Sequence, residues 1–370
     1  NVAVGSNALL TNISGNLSTA VGFNALYSND ASYNTAVGCN ALYANTTGYD
    51  NVAVGIDALV RNTTGNVNTA LGNFSLYNNT SGYTNVALGA FSLYSNTTGF
   101  TNTGVGGYAL YSNTTGYDNT AVGQSSLYNN TTGATNTGLG REALVNNTEG
   151  SYNTAVGYQA SYSATTANQN TIIGREAGYT LTTGGVNTMV GDDAGKFATT
   201  GTKNTFVGQS SGYNMTTGSK NTIIGRFYGN QHGLDIRTSS NNIVLSDGDG
   251  NPRINFDSSG HASIPARSSL VDMGSNVDTG ISFVNTGQIR AYISGDAALH
   301  VGRQSSFGEV VRFAYGGTSN VGSIDVTASS TSYSTSSDYR LKENVDYTWD
   351  ATTRLKQLKP ARFNFIADAD

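Results

Sequence analysis

Asn119-Thr120-Ala121-Val122-Gly123 is followed seventeen residues later by Asn136-Thr137-Gly138-Leu139-Gly140, and the same unit stands seventeen residues earlier as Asn102-Thr103-Gly104-Val105-Gly106. Its closing glycine recurs as Gly5, Gly22, Gly38, Gly55, Gly72, Gly89, Gly106, Gly123, Gly140, Gly157, Gly174, Gly191, Gly208 and Gly225, with twelve intervals of 17 residues and one of 16. Four residues before this reference glycine stands Asn in every unit but the second, where Ser18 replaces it. Seven before it stands Gly in most units, for example Gly48, Gly65, Gly116 and Gly201. A repeat this short cannot bury an apolar face alone and must stack on copies of itself, so each unit is one coil of a solenoid. The Thr-Ala-Val stretch is short, β-branched and bounded by Asn and Gly, which reads as a strand. The Ala-Leu-Tyr segment after the glycine is too short for its periodicity to separate a second strand from a single helical turn. The fold class is therefore all-β, a parallel β-solenoid of about fourteen coils. At a strand spacing of about 4.8 Å the coils make a rod of roughly 65 Å, in which the recurring Asn forms a side-chain amide ladder.

The interior of the coil shows itself through exchanged volumes. In the first nine units the residue two before the glycine is Ala or Gly and the residue four after it is Leu, as in Ala36 with Leu42, Ala70 with Leu76 and Ala121 with Leu127. From Gly174 onward the sizes swap, giving Ile172 with Gly178, Met189 with Gly195, Phe206 with Gly212 and Ile223 with Gly229; the unit at Gly157 is small at both, with Ala155 and Ser161. Two positions that trade volume fill one close-packed space. The residue one before the glycine is Val, Leu or Ile in all fourteen units and must point the other way on a strand. A strand that is apolar on both faces needs cover on both. The stripe through Val4, Val37, Val54, Val122, Val156, Ile173 and Ile224 is thus expected to be a subunit interface. The alternative is a single-chain solenoid with the stripe under a loop.

Composition narrows the function. The 370 residues include 46 Gly and 3 Pro, only 12 % are charged, and the net charge is −5 with no Lys/Arg run, which argues against binding nucleic acid. No window approaches the roughly 20 apolar residues of a membrane-spanning helix, so no membrane insertion is expected. The single Cys39 cannot form an intrachain disulfide. The sequence opens inside a repeat without a signal peptide, as expected of a piece of a longer protein.

The Asn-Thr-Ala-Val-Gly units, with Asn170-Thr171-Ile172-Ile173-Gly174 and Asn221-Thr222-Ile223-Ile224-Gly225, resemble the head repeat of trimeric autotransporter adhesins of the Yersinia adhesin type. The resemblance covers about residues 1–229 and implies a left-handed parallel β-roll of three chains. Most units here are longer than the usual repeat of that family, and similar repeats occur in phage fibres.

Beyond the repeats, residues 230–266 read as a cap or neck with a hairpin, Asn242 to Leu245 pairing with Arg253 to Phe256 across Ser246 to Asn251. Past Gly225 the repeat register is expected to fail. Residues 267–336 alternate short apolar stretches with Gly and Ser turns, a small β stem domain. From 337 the composition changes: residues 1–140 hold five charged side chains and residues 337–370 hold twelve. The run Ser337-Asp338-Tyr339-Arg340-Leu341-Lys342-Glu343-Asn344, followed by Leu355, Leu358-Lys359-Pro360 and Arg362-Phe363, resembles the start of the intramolecular chaperone (peptidase S74) domain that ends phage endosialidases and tail fibres. The resemblance implies trimer assembly followed by one self-cleavage after Ser337 with help from Lys342. A serine hydroxyl activated by a nearby amine suits that step. A solvated Ser-Asp turn before a charged helix is the plain alternative.

Other motifs carry less. Asp247-Gly-Asp-Gly-Asn251 begins like a calcium loop, but Pro252 and Ser258 stand where an EF-hand needs Gly and Glu, so a hairpin turn is expected. His232, His261 and His300 lack ligand spacing, and no cofactor or metal site is expected. Tyr43, Tyr77, Tyr94, Tyr111 and Tyr128 sit five after the reference glycine, and Tyr49, Tyr83, Phe100 and Tyr117 six before it. Stacked rings with Asn and Thr between them form either a stabilising ladder or an uncharged groove for glycans. The combined expectation is a homotrimeric, non-enzymatic part of a bacteriophage tail fibre in the virion, partnered by other tail proteins and by a host-cell receptor of glycan type. The alternatives are a bacterial trimeric surface adhesin and the non-catalytic part of a fibre-borne depolymerase.

Overall fold

In the computed structural model the described residues are 1–265 together with the strands at 280–284, 288–292, 308–315, 319–326 and 331–335. The chain divides into two compact units, Asn1–Asp296 and Ala297–Asp370. In the first unit, strands of three residues follow one another: β1 (Val2–Val4), β2 (Thr19–Val21), β3 (Thr35–Val37), β4 (Val52–Val54), β5 (Thr69–Leu71), β6 (Val86–Leu88), β7 (Thr103–Val105), β8 (Thr120–Val122), β9 (Thr137–Leu139), β10 (Thr154–Val156), β11 (Thr171–Ile173), β12 (Thr188–Val190), β13 (Thr205–Val207) and β14 (Thr222–Ile224). Each pairs in parallel with the next and in register, so that Ala121 lies beside Gly138 and Met189 beside Phe206. The described residues are all β and turn, a solenoid of about fourteen coils.

The interior pairs meet as the exchanged volumes require. Ala36, Leu42, Ala121, Leu127, Ile172, Met189, Phe206 and Ile223 are all fully buried. A Cβ added at Gly212 would lie 2.8–3.0 Å from the Phe206 ring, and one at Gly195 would lie 2.5 Å from Met189 Sδ. Large side chains on the strand thus occupy the space that Leu fills in the earlier coils.

The segment after the reference glycine is neither strand nor helix. Its hydrogen bonds close four-residue turns, as where Asn45 N–H donates to Leu42 O at 3.3 Å, and its second and fourth residues take left-handed backbone angles. The fourth is Leu at φ 53° in Leu26, Leu42 and Leu127, and Gly at φ 57°, 60° and 64° in Gly178, Gly195 and Gly212. Burial of the leucine offsets a conformation that costs an L-residue about 1–2 kcal/mol. The reference glycine itself is fixed by two constraints. Gly123 has φ +131°, and a Cβ there would sit 2.6 Å from the carbonyl carbon of Gly140 in the next coil.

Two amide ladders run inside the rod. In the expected one, Asn51 N and Nδ2 both donate to Asn34 Oδ1, at 3.0 and 3.3 Å, and the pattern repeats along the chain. A second ladder, seven after the glycine, links Asn62 Nδ2 to Asn45 Oδ1 at 2.8 Å and Asn96 Nδ2 to Asn79 Oδ1 at 2.8 Å. The two ladders converge, since Gly65 O accepts from Asn51 Nδ2 and Asn62 Nδ2, both at 2.9 Å. The second ladder ends at Asn147, because the next coils place Ala164, Leu181, Ala198 and Met215 there; Asn147 Oδ1 is accordingly buried without a partner.

The one 16-residue coil is repaired by a side chain. In ordinary coils a single carbonyl receives three N–H groups of the coil before it, as Thr80 O does from Thr63, Thr64 and Gly65 at 2.9, 3.1 and 3.3 Å. In the short coil Asp30 Oδ1 takes that place, accepting from Ile13, Ser14 and Gly15 at 2.9, 2.5 and 3.3 Å. The N–H groups of Ser14 and then Ile13 hold the Asp30 carboxyl below its ordinary value. A depressed carboxyl contributes stability above its unfolded pKa and loses it as pH falls through the folded one. Amide exchange of Ser14 and Gly15, corrected for intrinsic rates, is expected to accelerate below about pH 4. In Asp30→Ala it is expected to be fast already at pH 6; unchanged protection in that variant would contradict the assignment.

The repeat continues one rung further than the sequence suggested. β17 (Ile243–Ser246) pairs in parallel with β14, setting Val244 beside Ile223 and Leu245 beside Ile224. Asn242 extends the amide ladder, donating to Asn221 Oδ1 at 2.9 Å across 21 residues rather than 17. The expected loss of register is therefore an insertion, which carries the small hairpin of β15 (Asn230–Gln231) and β16 (Leu234–Asp235). The sheet then turns antiparallel through β18 (Pro252–Phe256), β19 (Ala262–Pro265), β20 (Gly280–Val284) and β21 (Gln288–Tyr292). In the second unit β22 (Gly308–Tyr315), β23 (Ser319–Val326) and β24 (Thr331–Thr335) form an antiparallel sheet.

Candidate functional site

Because strand residues alternate, the residue before the reference glycine faces away from the interior, and the parallel sheet acquires an outward apolar face. Val4 is 58 % exposed, Val37 and Val54 37 %, Ile173 38 % and Ile224 47 %, while Val122 and Val156 are half-buried. No described segment covers this stripe. It continues past the last regular coil to Leu245 on β17, whose partner on β18 is Ile254. A parallel sheet left open on one face is unusual, since such sheets are normally covered on both.

A second feature is aromatic. The expected tyrosine ladder is formed: Tyr27 stacks on Tyr43 at 4.9 Å, and Tyr77, Tyr94, Tyr111 and Tyr128 stack in series at 5.1, 5.1 and 4.9 Å. Within each series neighbouring rings occupy one another's faces, so the rods of rings present mainly edges outward. The ladder six before the glycine is also present in Tyr83, Phe100 and Tyr117, each step 5.0 Å. A third ladder, two after the glycine, was missed: Phe74, Phe91 and Tyr108 stack at 5.0 and 5.2 Å. It leans on the tyrosines at 46–49°, as in Phe91 against Tyr94 at 5.8 Å. The sequence signal was an aromatic residue in three consecutive coils, where every other coil but the last, which carries Phe227, has Asn, Asp, Ser, Glu or Gln.

Charge gathers in the later coils. Arg175 bridges Glu176, Asp192 and Asp193, and Lys196 bridges Glu176 and, at 3.2 Å, Asp193. The Lys196 hydrogen bond holds the Glu176 carboxyl low. Burial opposes the Lys196 charge, but its carboxylate partners win and raise its pKa. Every member has an opposite partner, so the cluster ties neighbouring coils together.

The remaining motifs behave as structure. Asp247 Oδ1 accepts from the N–H groups of Asp249 and Asn251 at 3.1 and 2.9 Å, and Oδ2 from Arg253 at 2.8 Å, a hairpin turn. Asp257 closes the next turn in the same way, with His261 Nδ1 2.9 Å from its Oδ2. His232 lies in the inserted hairpin, far along the chain from His261, and among the described residues no group of His, Cys, Asp or Glu could hold a metal ion. Among the described residues no helix is long and apolar enough to cross a membrane. Ser337, Lys342 and His300 lie outside the described residues. No family model, no curated protein and no solved structure matches this chain.

Proposed function

We propose that the chain is a rod-forming, host-contacting part of a bacteriophage tail fibre, assembled as a homotrimer and carried on the virion. The observation that carries this reading is the open apolar face along the parallel sheet, which three copies around an axis would cover. A rod with three copies multiplies weak receptor contacts, because each contact raises the effective concentration for the next. The chaperone-like run from Ser337 to Phe363 supports the phage rather than an autotransporter as owner. The resemblance of the repeat to adhesin heads favours a bacterial surface adhesin as the second reading. Antibody against the chain is expected to label tails of purified virions; label confined to the bacterial surface would replace the first reading by the second.

The interface is tested by charge. Val122→Asp with Val156→Asp, at two outward positions, is expected to leave the coil interior intact and to yield single chains, measured by light scattering. An unchanged mass would move the interface elsewhere. Single-turnover cleavage after Ser337, aided by Lys342, belongs to the same proposal. A longer chain carrying the complete terminal domain is expected to give a shorter product on a gel, and Ser337→Ala is expected to abolish the shift; identical bands would end it.

A further inference from the structure

The third aromatic ladder is placed at a cost. Phe74, Phe91 and Tyr108 have φ 60°, 59° and 62°, a region in which bulky residues are outliers, whereas Asn24 and Asn40 at the same position in other coils suit it. The leucines of the interior take similar angles but are repaid by full burial. Tyr108 is 39 % exposed. The angle belongs to the coil, since exposed Val67 and Val186 take φ 55° and 61° elsewhere in the repeat; what distinguishes Tyr108 is an exposed ring at the end of its row.

Tyr108 stacks on Phe91 at 5.2 Å and 3°, but on its other side the next coil offers Ser125, so one face of the ring is not stacked. Tyr128 stands beside it, 6.3 Å away and tilted by 43°, as a wall. Gly107 precedes Tyr108 with no backbone need for glycine: its φ is not positive, and an added Cβ would meet only Ala90 O, at 3.9 Å. Gln124 is exposed next to Ser125 and offers an amide and a hydroxyl beside the ring. Between Arg61 and Arg141 the sequence holds one charged side chain, Asp118, which accepts from Thr101 at a separate corner of the coil. Arg61 lies over Tyr77 at the opposite end, and Arg141 is paired with Glu142.

We propose that the Tyr108 face, walled by Tyr128 and flanked by Gln124 and Ser125, binds an uncharged saccharide. A pyranose has an apolar C–H face for the ring and hydroxyls for the amide and hydroxyl, and the nearest charges, Arg141 and Glu142 in the coil beyond Gln124, are paired with each other and so favour a ligand without charge. The proposal rests on the host-contacting reading and names its contact point.

The test uses the full chain and a panel of neutral oligosaccharides, with sialylated and sulfated glycans as charged counterparts. Neutral members are expected to bind. Tyr108→Asn is expected to weaken them by at least about tenfold without lowering Tm, since Asn relieves the backbone strain. Binding only of charged glycans, no binding at all, wild-type affinity in Tyr108→Asn, or a lowered Tm in that variant would overturn the site. Cell coating separates the two ideas: if wild type and Tyr108→Asn coat bacteria equally, the site falls and the host-contacting reading stands. If oligosaccharides bind yet no cells are coated, the site stands without that reading.

Discussion

Phe206→Ala is expected to destabilise the surrounding coils by about 3–5 kcal/mol, the usual cost of emptying a packed aromatic site. Phe206 is fully buried and fills the space beside Gly195 and Gly212. Gly212→Leu alone is expected to be as damaging, because its side chain would begin 2.8–3.0 Å from the ring. Combined, the two changes recreate the Ala-with-Leu pair that the first nine coils use, at a backbone position where Leu already tolerates the left-handed angle. The double variant is therefore expected to recover at least half of the loss from Phe206→Ala. Recovery is incomplete because the ring also packs over Gly195, where only Met189 then remains to fill the space. Unfolding of a repeat array need not be all-or-none, so exchange of amides in the coils from Gly191 to Gly225 is the suitable readout. Additive losses in the double-mutant cycle would contradict the shared-space account.

Gly123→Ala is expected to cost more than about 3 kcal/mol and to open the stack locally, although only one methyl group is added. The backbone there has φ +131°, which side chains rarely adopt, and the methyl would lie 2.6 Å from the Gly140 carbonyl carbon and oxygen. Neither neighbour is a flexible side-chain end that can step aside. Gly107→Ala is the control, since it adds the same methyl where the nearest atom is 3.9 Å away. Faster exchange in the coils of Gly123 and Gly140, with Gly107→Ala unaffected, is the expected pattern. Equal stability of the two variants would contradict the spacing of the coils.

The sequence made the strands, their register and the interior pairs legible, because volume exchange between Ala36/Leu42 and Phe206/Gly212 is visible without coordinates. The first amide ladder was legible for the same reason, as an unvaried position. Other features required geometry. The turns around Leu42 and Leu127 could not be read, because Leu has no preference for the left-handed angle and only Gly178, Gly195 and Gly212 hint at it. The role of Asp30, whose carboxylate stands in place of a main-chain carbonyl, also required geometry. Its signal was the single short interval. The rung at Val244 was hidden by an insertion of four residues, which displaced Asn242 from the expected spacing. The Phe74, Phe91 and Tyr108 series was visible at fixed spacing, but its meaning depended on backbone angle and on which ring face is left unstacked.

The aromatic rows illustrate the difference between a repeated residue and a site. Tyr94 and Tyr111 are each stacked on both sides, so most of their ring surface serves cohesion between coils. Only where a row ends, as at Tyr108 before Ser125, does repetition give way to an accessible face. The outward aliphatic stripe differs again, since it persists through all fourteen coils and favours a partner of the same length and period.

That partner is the central claim, and sedimentation equilibrium of the full chain tests it most directly. The account predicts a species of three times the 38.5 kDa of one chain, reduced to the single-chain mass by Val122→Asp with Val156→Asp. A wild-type chain that sediments at the single-chain mass, with its outward stripe open to water, would contradict it.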